Sequence, residues 1–178
     1  KELVVQHLIE IISSLSTLGL IILYLRLKAV INQAPKLKNT KKDYTIPDTS
    51  LTVIVPVYNE EKRINICIES LIKSDQPCKD WQILIADDCS TDKTIDIIKE
   101  IKCELNISDN FLRIINVGPR PIDERWVGKN WACSQGMRSI KTAWVLFIDA
   151  DVELEKKTLK RSLKQSIDEN VDLMSLAP

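Results

Sequence analysis

The stretch "VLFIDADVEL", residues 145–154, runs an apolar segment into two carboxylates, Asp149 and Asp151, with one alanine between them and Glu153 beyond. Like charges that close repel each other and are costly to hold together unless a cation or a hydrogen-bond donor offsets them. Carboxylates at i and i+2, where a buried strand ends and the chain turns away, can both reach a hard divalent cation. Magnesium or manganese held in this way keeps open positions for phosphate oxygens. The plain alternative is a pair of solvated loop acids, and Glu153 is read as solvated in either case.

Three further stretches pair reactive residue types with suggestive spacing. In "ADDCSTD", Asp87 and Asp88 are adjacent, and a carboxylate there can cap the following helix. Capping accounts for one of them; the other could accept a hydrogen bond from a base N–H or a ribose hydroxyl. In "RWVGKNWACSQG", Gly128, Lys129 and Asn130 lie just before a helical pattern, where a lysine suits an anion such as a diphosphate but gains nothing from the helix dipole. A surface lysine is the simpler explanation of that stretch alone. In "VPVYNEE", Pro56, Val57, Tyr58, Asn59 and Glu60 end an apolar run and open a helix, whose free N–H groups either are capped or meet a ligand.

The elements that must position these groups alternate along the chain. "LTVIVPVYN", "WQILIADD", "FLRIINVG", "AWVLFID" and "VDLMSLA" read as five short strands. Between them lie "EEKRINICIESLIKS", with Ile64, Cys67, Ile68, Leu71 and Ile72 on one helical face, and "STDKTIDIIKEIKCEL", with Ser90 or Thr91 as N-cap. "NWACSQGMRSIK" and "KKTLKRSLKQSIDEN" complete the helices. This alternation predicts an α/β fold with a mainly parallel sheet flanked by helices. Ligands in such folds bind beyond the carboxyl ends of the strands. "YNEE", "DDCSTD" and "DADVEL" should therefore share one edge.

Ahead of the sheet, residues 11–25 carry no charge, and the apolar character extends back to Leu3 apart from His7 and Glu10. A span of about 20 helical residues crosses a hydrocarbon core of about 30 Å. Residues 1–28 are therefore expected to form a transmembrane or membrane-associated helix, and residues 29–50 a linker. Arg26, Lys28, Lys36, Lys38, Lys41 and Lys42 follow the apolar segment, which places the remainder on the cytoplasmic side by the positive-inside rule.

Lysine plus arginine equals aspartate plus glutamate at 25 each, so charge gives no support to a nucleic-acid partner. The five cysteines, Cys67, Cys78, Cys89, Cys103 and Cys133, include no C-x-x-C pair, which argues against a disulfide framework or a zinc site. His7 is the single histidine and lies in the apolar segment, so histidine catalysis elsewhere is excluded. The chain begins at Lys1 and ends on "LMSLAP", and is expected to be a truncated piece of a longer protein.

Taken in order, "VIVPVYNEE", "ADDCSTDKT", "GKNWACSQG" and "FIDADVEL" resemble the donor-binding half of family 2 glycosyltransferases, which have the GT-A fold, over residues 51–178. "GKNWACSQG" with "PRPIDERWV" is similar to the hopene-associated subgroup and more distantly to ceramide glucosyltransferases. The resemblance implies a UDP-sugar donor and inverting transfer to an acceptor, taken to be a lipid because of the anchor. It implies Pro56, Tyr58 and Glu60 around the uridine, Asp87 and Asp88 at the uracil, and Lys129 near the nucleotide or diphosphate. Asp149 and Asp151 match the family's D-x-D motif, with Asp151 on a magnesium or manganese ion and Asp149 on the ribose or the metal. The catalytic base is expected beyond residue 178, so residues 1–178 should bind donor without transferring sugar.

Other readings remain. An oxidoreductase is disfavoured because Gly19, Gly118, Gly128 and Gly136 are the only glycines and none follows the first strand. A nucleotidyltransferase lacks its glycine-rich loop at the same place. A membrane-tethered nucleotide-binding module without transferase activity would use the same residues.

Overall fold

The computed structural model describes residues 2–33, 36–38, 45–123, 125–126 and 128–176. Two compact units divide the chain, Lys1–Lys36 and Leu37–Pro178. The first is a single helix, α1 (Glu2–Gln33), whose described side chains are all exposed. Val5–Asn32 spans 28 residues and contains an 18-residue window with a mean hydropathy of 2.1, long and apolar enough by length and composition to cross a membrane. The polar groups within it are partly answered internally. Ser14 and Thr17 each donate a hydroxyl to the carbonyl four residues back at 2.8 Å, and His7 Nδ1 lies 3.4 Å from Glu10 Oε2. The helix continues to Gln33, so residues 29–33 of the expected linker are helical.

The second unit alternates β1 (Ser50–Val57), α2 (Ile64–Ile72), β2 (Asp80–Asp87), α3 (Thr94–Glu104), β3 (Leu112–Asn116), α4 (Gly128–Arg138), β4 (Trp144–Phe147) and α5 (Thr158–Asp168). The four strands form one sheet in the order β3-β2-β1-β4, and every pairing is parallel. β1 and β2 are the central pair, in register from Ser50↔Asp80 to Val57↔Asp87. Burial on both faces explains why both read as continuous apolar runs rather than as alternation.

Pro56 fits inside β1 for a directional reason. Ile54 O accepts from Ile148 N–H on the β4 side, whereas Val57 O accepts from Asp88 N–H on the β2 side. The nitrogen of Pro56 therefore faces β4, whose ladder with β1 ends at Ile54↔Phe147. The donor that proline lacks is not needed there.

Helices cover both faces. Ile64, Cys67, Ile68 and Leu71 of α2, Ile98 and Ile101 of α3, and Leu159 and Leu163 of α5 join Val53, Val55, Ile83 and Ile85 in one buried cluster. On the opposite face Trp131 and Ala132 of α4 pack with Ile54, Leu84 and Ala86. Gly136 sets how closely α4 approaches, because a Cβ there would stand 3.0 Å from Ile54 Cγ2 and 3.3 Å from Ile54 Cδ1.

Three expectations are corrected. Residues 171–176 form no strand: Leu173 is 88% exposed, and Val171 N–H returns to Ser166 O to close α5 behind Asn170, which takes φ 48°. That is the left-handed helix ending asparagine tolerates, and it leaves the segment without a ladder partner. α3 starts at Thr94, and neither Ser90 nor Thr91 caps it; both bond to Asn59 instead. β4 is not deeply buried, since among the described residues it pairs only with β1 and leaves Phe147 47% exposed.

Replacing Gly136 with valine should force α4 off the sheet, because Ile54 is fully buried and its branched chain has little room to yield. The expected loss is about 2–3 kcal/mol, read as a lower urea midpoint at unchanged slope. An unchanged midpoint would mean that α4 packs less closely than described.

Candidate functional site

The parallel ladder delivers the carboxyl ends of β2, β1 and β4 side by side at one edge. The loops after β1 and β2 are joined there by reciprocal hydrogen bonds. Asn59 N–H donates to Ser90 Oγ at 3.0 Å, and Asn59 Oδ1 accepts from Thr91 N–H at 2.8 Å. Glu60 N–H donates to Thr94 Oγ1 at 2.7 Å, Glu61 N–H to Asp92 Oδ2 at 3.1 Å, and Lys93 N–H to Glu61 Oε2 at 3.2 Å. Asn59 and Cys89 both adopt positive φ, 55° and 61°, where the chain leaves each strand. Partial burial raises the Asp92 carboxyl, but hydrogen bonds from the Thr94 hydroxyl, Thr94 N–H and Glu61 N–H outweigh it and hold the group below its ordinary value.

Asp87 and Asp88 are both buried, at 6% and 8% exposure, and each is engaged. Asp87 Oδ1 accepts from Ser90 N–H at 3.0 Å, the local turn contact an aspartate offers at a strand end. Asp88 forms an ion pair with Arg120, which lies two residues past Gly118 at the end of β3. Gly118 takes φ 72°, and its carbonyl accepts from Trp131 Nε1–H at 3.1 Å, which fastens the exit of β3 to α4. Pro56 is buried within the strand. Tyr58 is exposed, and Glu60 is half-buried with its carbonyl accepting from Arg63 and Ile64 N–H at the start of α2.

Asp149 and Asp151 follow β4 on exposed backbone, with Ala150 between them buried. Lys129, in the first turn of α4, forms an ion pair with Asp149. The loop that carries the carboxylates rests on α2 and its exit. Cys67 Sγ–H donates to Asp149 O at 3.6 Å, Leu154 N–H to Ser70 Oγ at 3.1 Å, and Asp75 N–H to Lys156 O at 2.8 Å. Burial pushes the Cys67 thiol up to about 12, and the charges of Asp151 and Asp149 push the same way. A neutral donor is thus kept beneath an anionic loop.

Lys129 and Asp149 meet in an ion pair that the sequence reading did not anticipate, and Asp87 and Asp88 lie together. No hydrogen bond or ion pair among the described residues joins the Asp87–Asp88 group to the Asp149–Asp151 group. Nor do three or more His, Cys, Asp or Glu side chains gather into a ready metal cage among those residues. The donor set nevertheless suits magnesium or manganese, which take one or two carboxylates and complete their shell with water and phosphate oxygens. The sequence reading gave Arg120 and Ser70 no role, placed Cys67 only on an apolar helix face and Asn59 only at a helix start, and foresaw none of their contacts at this edge. Their partners lie 31 to 84 residues away, and no local pattern encodes such contacts.

At pH 9 a thiol titrating at about 12 is ionised to about one part in a thousand, whereas an ordinary one is half ionised. A disulfide reagent added to the folded chain at pH 8–9 should modify the exposed Cys89 and Cys103 first, leaving the buried Cys67 and Cys78 until denaturant is added. Modification of Cys67 at the rate of Cys89 would show that the floor of the acidic loop is open.

The family model described as glycosyl transferase family 2 matches residues 52–177. The poly(ribitol-phosphate) beta-N-acetylglucosaminyltransferase TarS of Staphylococcus aureus is 36% identical over 110 residues, 61% of this chain and 17% of that protein. The dolichyl N-acetyl-alpha-D-glucosaminyl phosphate 3-beta-D-2,3-diacetamido-2,3-dideoxy-beta-D-glucuronosyltransferase of Methanococcus voltae is 42% identical over 114 residues, 64% of this chain and 33% of that protein. Among solved structures, S. aureus TarS with UDP-GlcNAc superposes with a TM-score of 0.52 at 26% identity, covering 72% of this chain and 37% of that one. Mannosyltransferase PcManGT of Pyrobaculum calidifontis, in complex with GDP-Man and Mn2+, gives a TM-score of 0.58 at 24% identity, covering 82% and 39%. The chain thus spans a third or less of these curated relatives' length, and its sheet is of the GT-A kind. With the family match extending over more than half of its residues, the chain belongs to glycosyl transferase family 2.

Proposed function

We propose that residues 51–178 form the donor-binding half of a metal-assisted, inverting glycosyltransferase that uses a UDP-sugar, with α1 as its membrane anchor and the site on the cytoplasmic side. The observation that carries this reading is the convergence of Asp87, Asp88, Lys129, Asp149 and Asp151 on the carboxyl edge of one parallel sheet. The complex of TarS with UDP-GlcNAc supports the choice of nucleotide. Basic residues after α1 support the orientation.

The residues have separable roles. Tyr58 and Glu60 border the base-binding end with Pro56 beneath them, and Asp87 and Asp88 offer acceptors to the uracil or ribose. Lys129 attracts the diphosphate, while Asp149 and Asp151 would hold a magnesium or manganese ion. Such an ion, when bound, neutralises charge on the leaving diphosphate as a Lewis acid. The acceptor is taken to be a lipid: α1 keeps the site with the bilayer, and the M. voltae relative is named for a dolichyl-linked substrate. A polymer acceptor is the second reading, because the TarS relative is named for poly(ribitol-phosphate).

The test is a titration of the full 178-residue chain, held in detergent micelles, with UDP, ADP and GDP, each with and without Mn2+. Trp126 and Trp131, 5.4 Å apart between ring centroids, supply a fluorescence signal beside Lys129. Saturable UDP binding that needs Mn2+ and is lost in a folded Asp151→Ala variant is the expected result. Equal affinity for the three nucleotides, or indifference to the metal, would remove the donor-site reading.

A further inference from the structure

The Lys129–Asp149 ion pair occupies one of the two carboxylates assigned above to a metal, and it does so with a cation carried by the protein itself. Both side chains are about half exposed, 54% and 52%, so the pair can open without disturbing the core. Helix electrostatics do not explain the lysine's position. Lys129 sits in the first turn of α4, where the dipole favours anions and opposes an ammonium group. What holds it there is Asp149, on a loop anchored to α2 and its exit through Cys67, Ser70 and the Asp75–Lys156 contact.

We propose that Lys129 makes divalent-cation binding at Asp149 and Asp151 conditional on a diphosphate. Without nucleotide, the ammonium group competes with the metal for Asp149 and repels it across a few ångströms. When a nucleoside diphosphate enters, its phosphate oxygens give Lys129 a stronger partner, Asp149 is released, and the excess positive charge that would accompany metal alone is neutralised. Metal and diphosphate therefore bind cooperatively, and by linkage each tightens the other by the same factor. Lys129 acts here as a positioning and binding group, exchanged between two anions. The inference rests on the donor-site reading above and concerns the order in which that site fills.

The readout is Mn2+ affinity, followed by the paramagnetic signal of the free aquo ion, for the full chain in micelles with and without saturating UDP. The native chain should bind Mn2+ weakly alone and about tenfold or more tightly with UDP, within the usual range for coupled sites. Lys129→Met should bind Mn2+ alone about tenfold more tightly than the native chain does, with a correspondingly smaller gain from UDP, the part that remains coming from phosphate oxygens on the ion. Lys129→Arg should keep the native pattern, since it keeps the charge. Circular dichroism confirms that each variant is folded. A native Mn2+–UDP complex together with unchanged or weaker Mn2+ affinity in Lys129→Met overturns this inference alone. Failure of the native chain to form any Mn2+–UDP complex overturns the donor-site reading and this inference with it.

Discussion

The ladder between β1 and β2 is the constraint on which the remaining geometry depends. Eight residues of one strand face eight of the other, from Ser50↔Asp80 to Val57↔Asp87, and twelve of the sixteen are buried. A shift of one residue would carry Val53 and Val55, or Ile83 and Ile85, from the face packed by α2, α3 and α5 to the face packed by α4, where they would have to fit a different set of side chains. A shift of two would keep the faces but separate Asn59 from Ser90 and Thr91, undoing the bonds between the two loops. Hydrophobic register thus determines where polar side chains at the edge can stand.

An edge that collects carboxylates must also be kept neutral enough to fold. Asp88 is answered by Arg120 and Asp149 by Lys129, and both cations come from the stretch that leaves β3 and opens α4. Trp131 holds that stretch twice, packing in the cluster with Ile54 and Leu84 and donating to Gly118 O. The close approach at Gly136 brings α4 down on the sheet and so brings Lys129 within reach of Asp149. Packing on one face therefore carries the charge balance of the edge.

The sheet was largely legible because its central strands are buried on both sides, which leaves short, β-branched apolar runs that alternate with helical patterns. The positions of "YNEE", "DDCSTD" and "DADVEL" at one edge followed from strand direction alone. What stayed illegible depended on distant partners. "VDLMSLA" has the composition of a strand, yet a strand exists only where another strand pairs with it, and Val171 instead closes α5. Ser90 and Thr91 have the chemistry of N-caps but face Asn59, 31 and 32 residues earlier. Arg120, 32 residues beyond Asp88, carried no local sign of its ion pair.

Cys67 shows how the core and the edge restrain each other. The loop of Asp149 and Asp151 needs a floor that donates hydrogen bonds, since its carbonyls and amides leave the sheet where no ladder continues. A carboxylate in that floor would add a third negative charge, and an ammonium group would compete with any cation drawn to the loop. A buried thiol, pushed up to about 12 by burial and by the charges of Asp151 and Asp149, is a neutral group that donates weakly to Asp149 O. Ser70, one turn along α2, does the complementary service by accepting from Leu154 N–H. The helix thereby fixes the backbone of the acidic loop while leaving both carboxylates free to change partners.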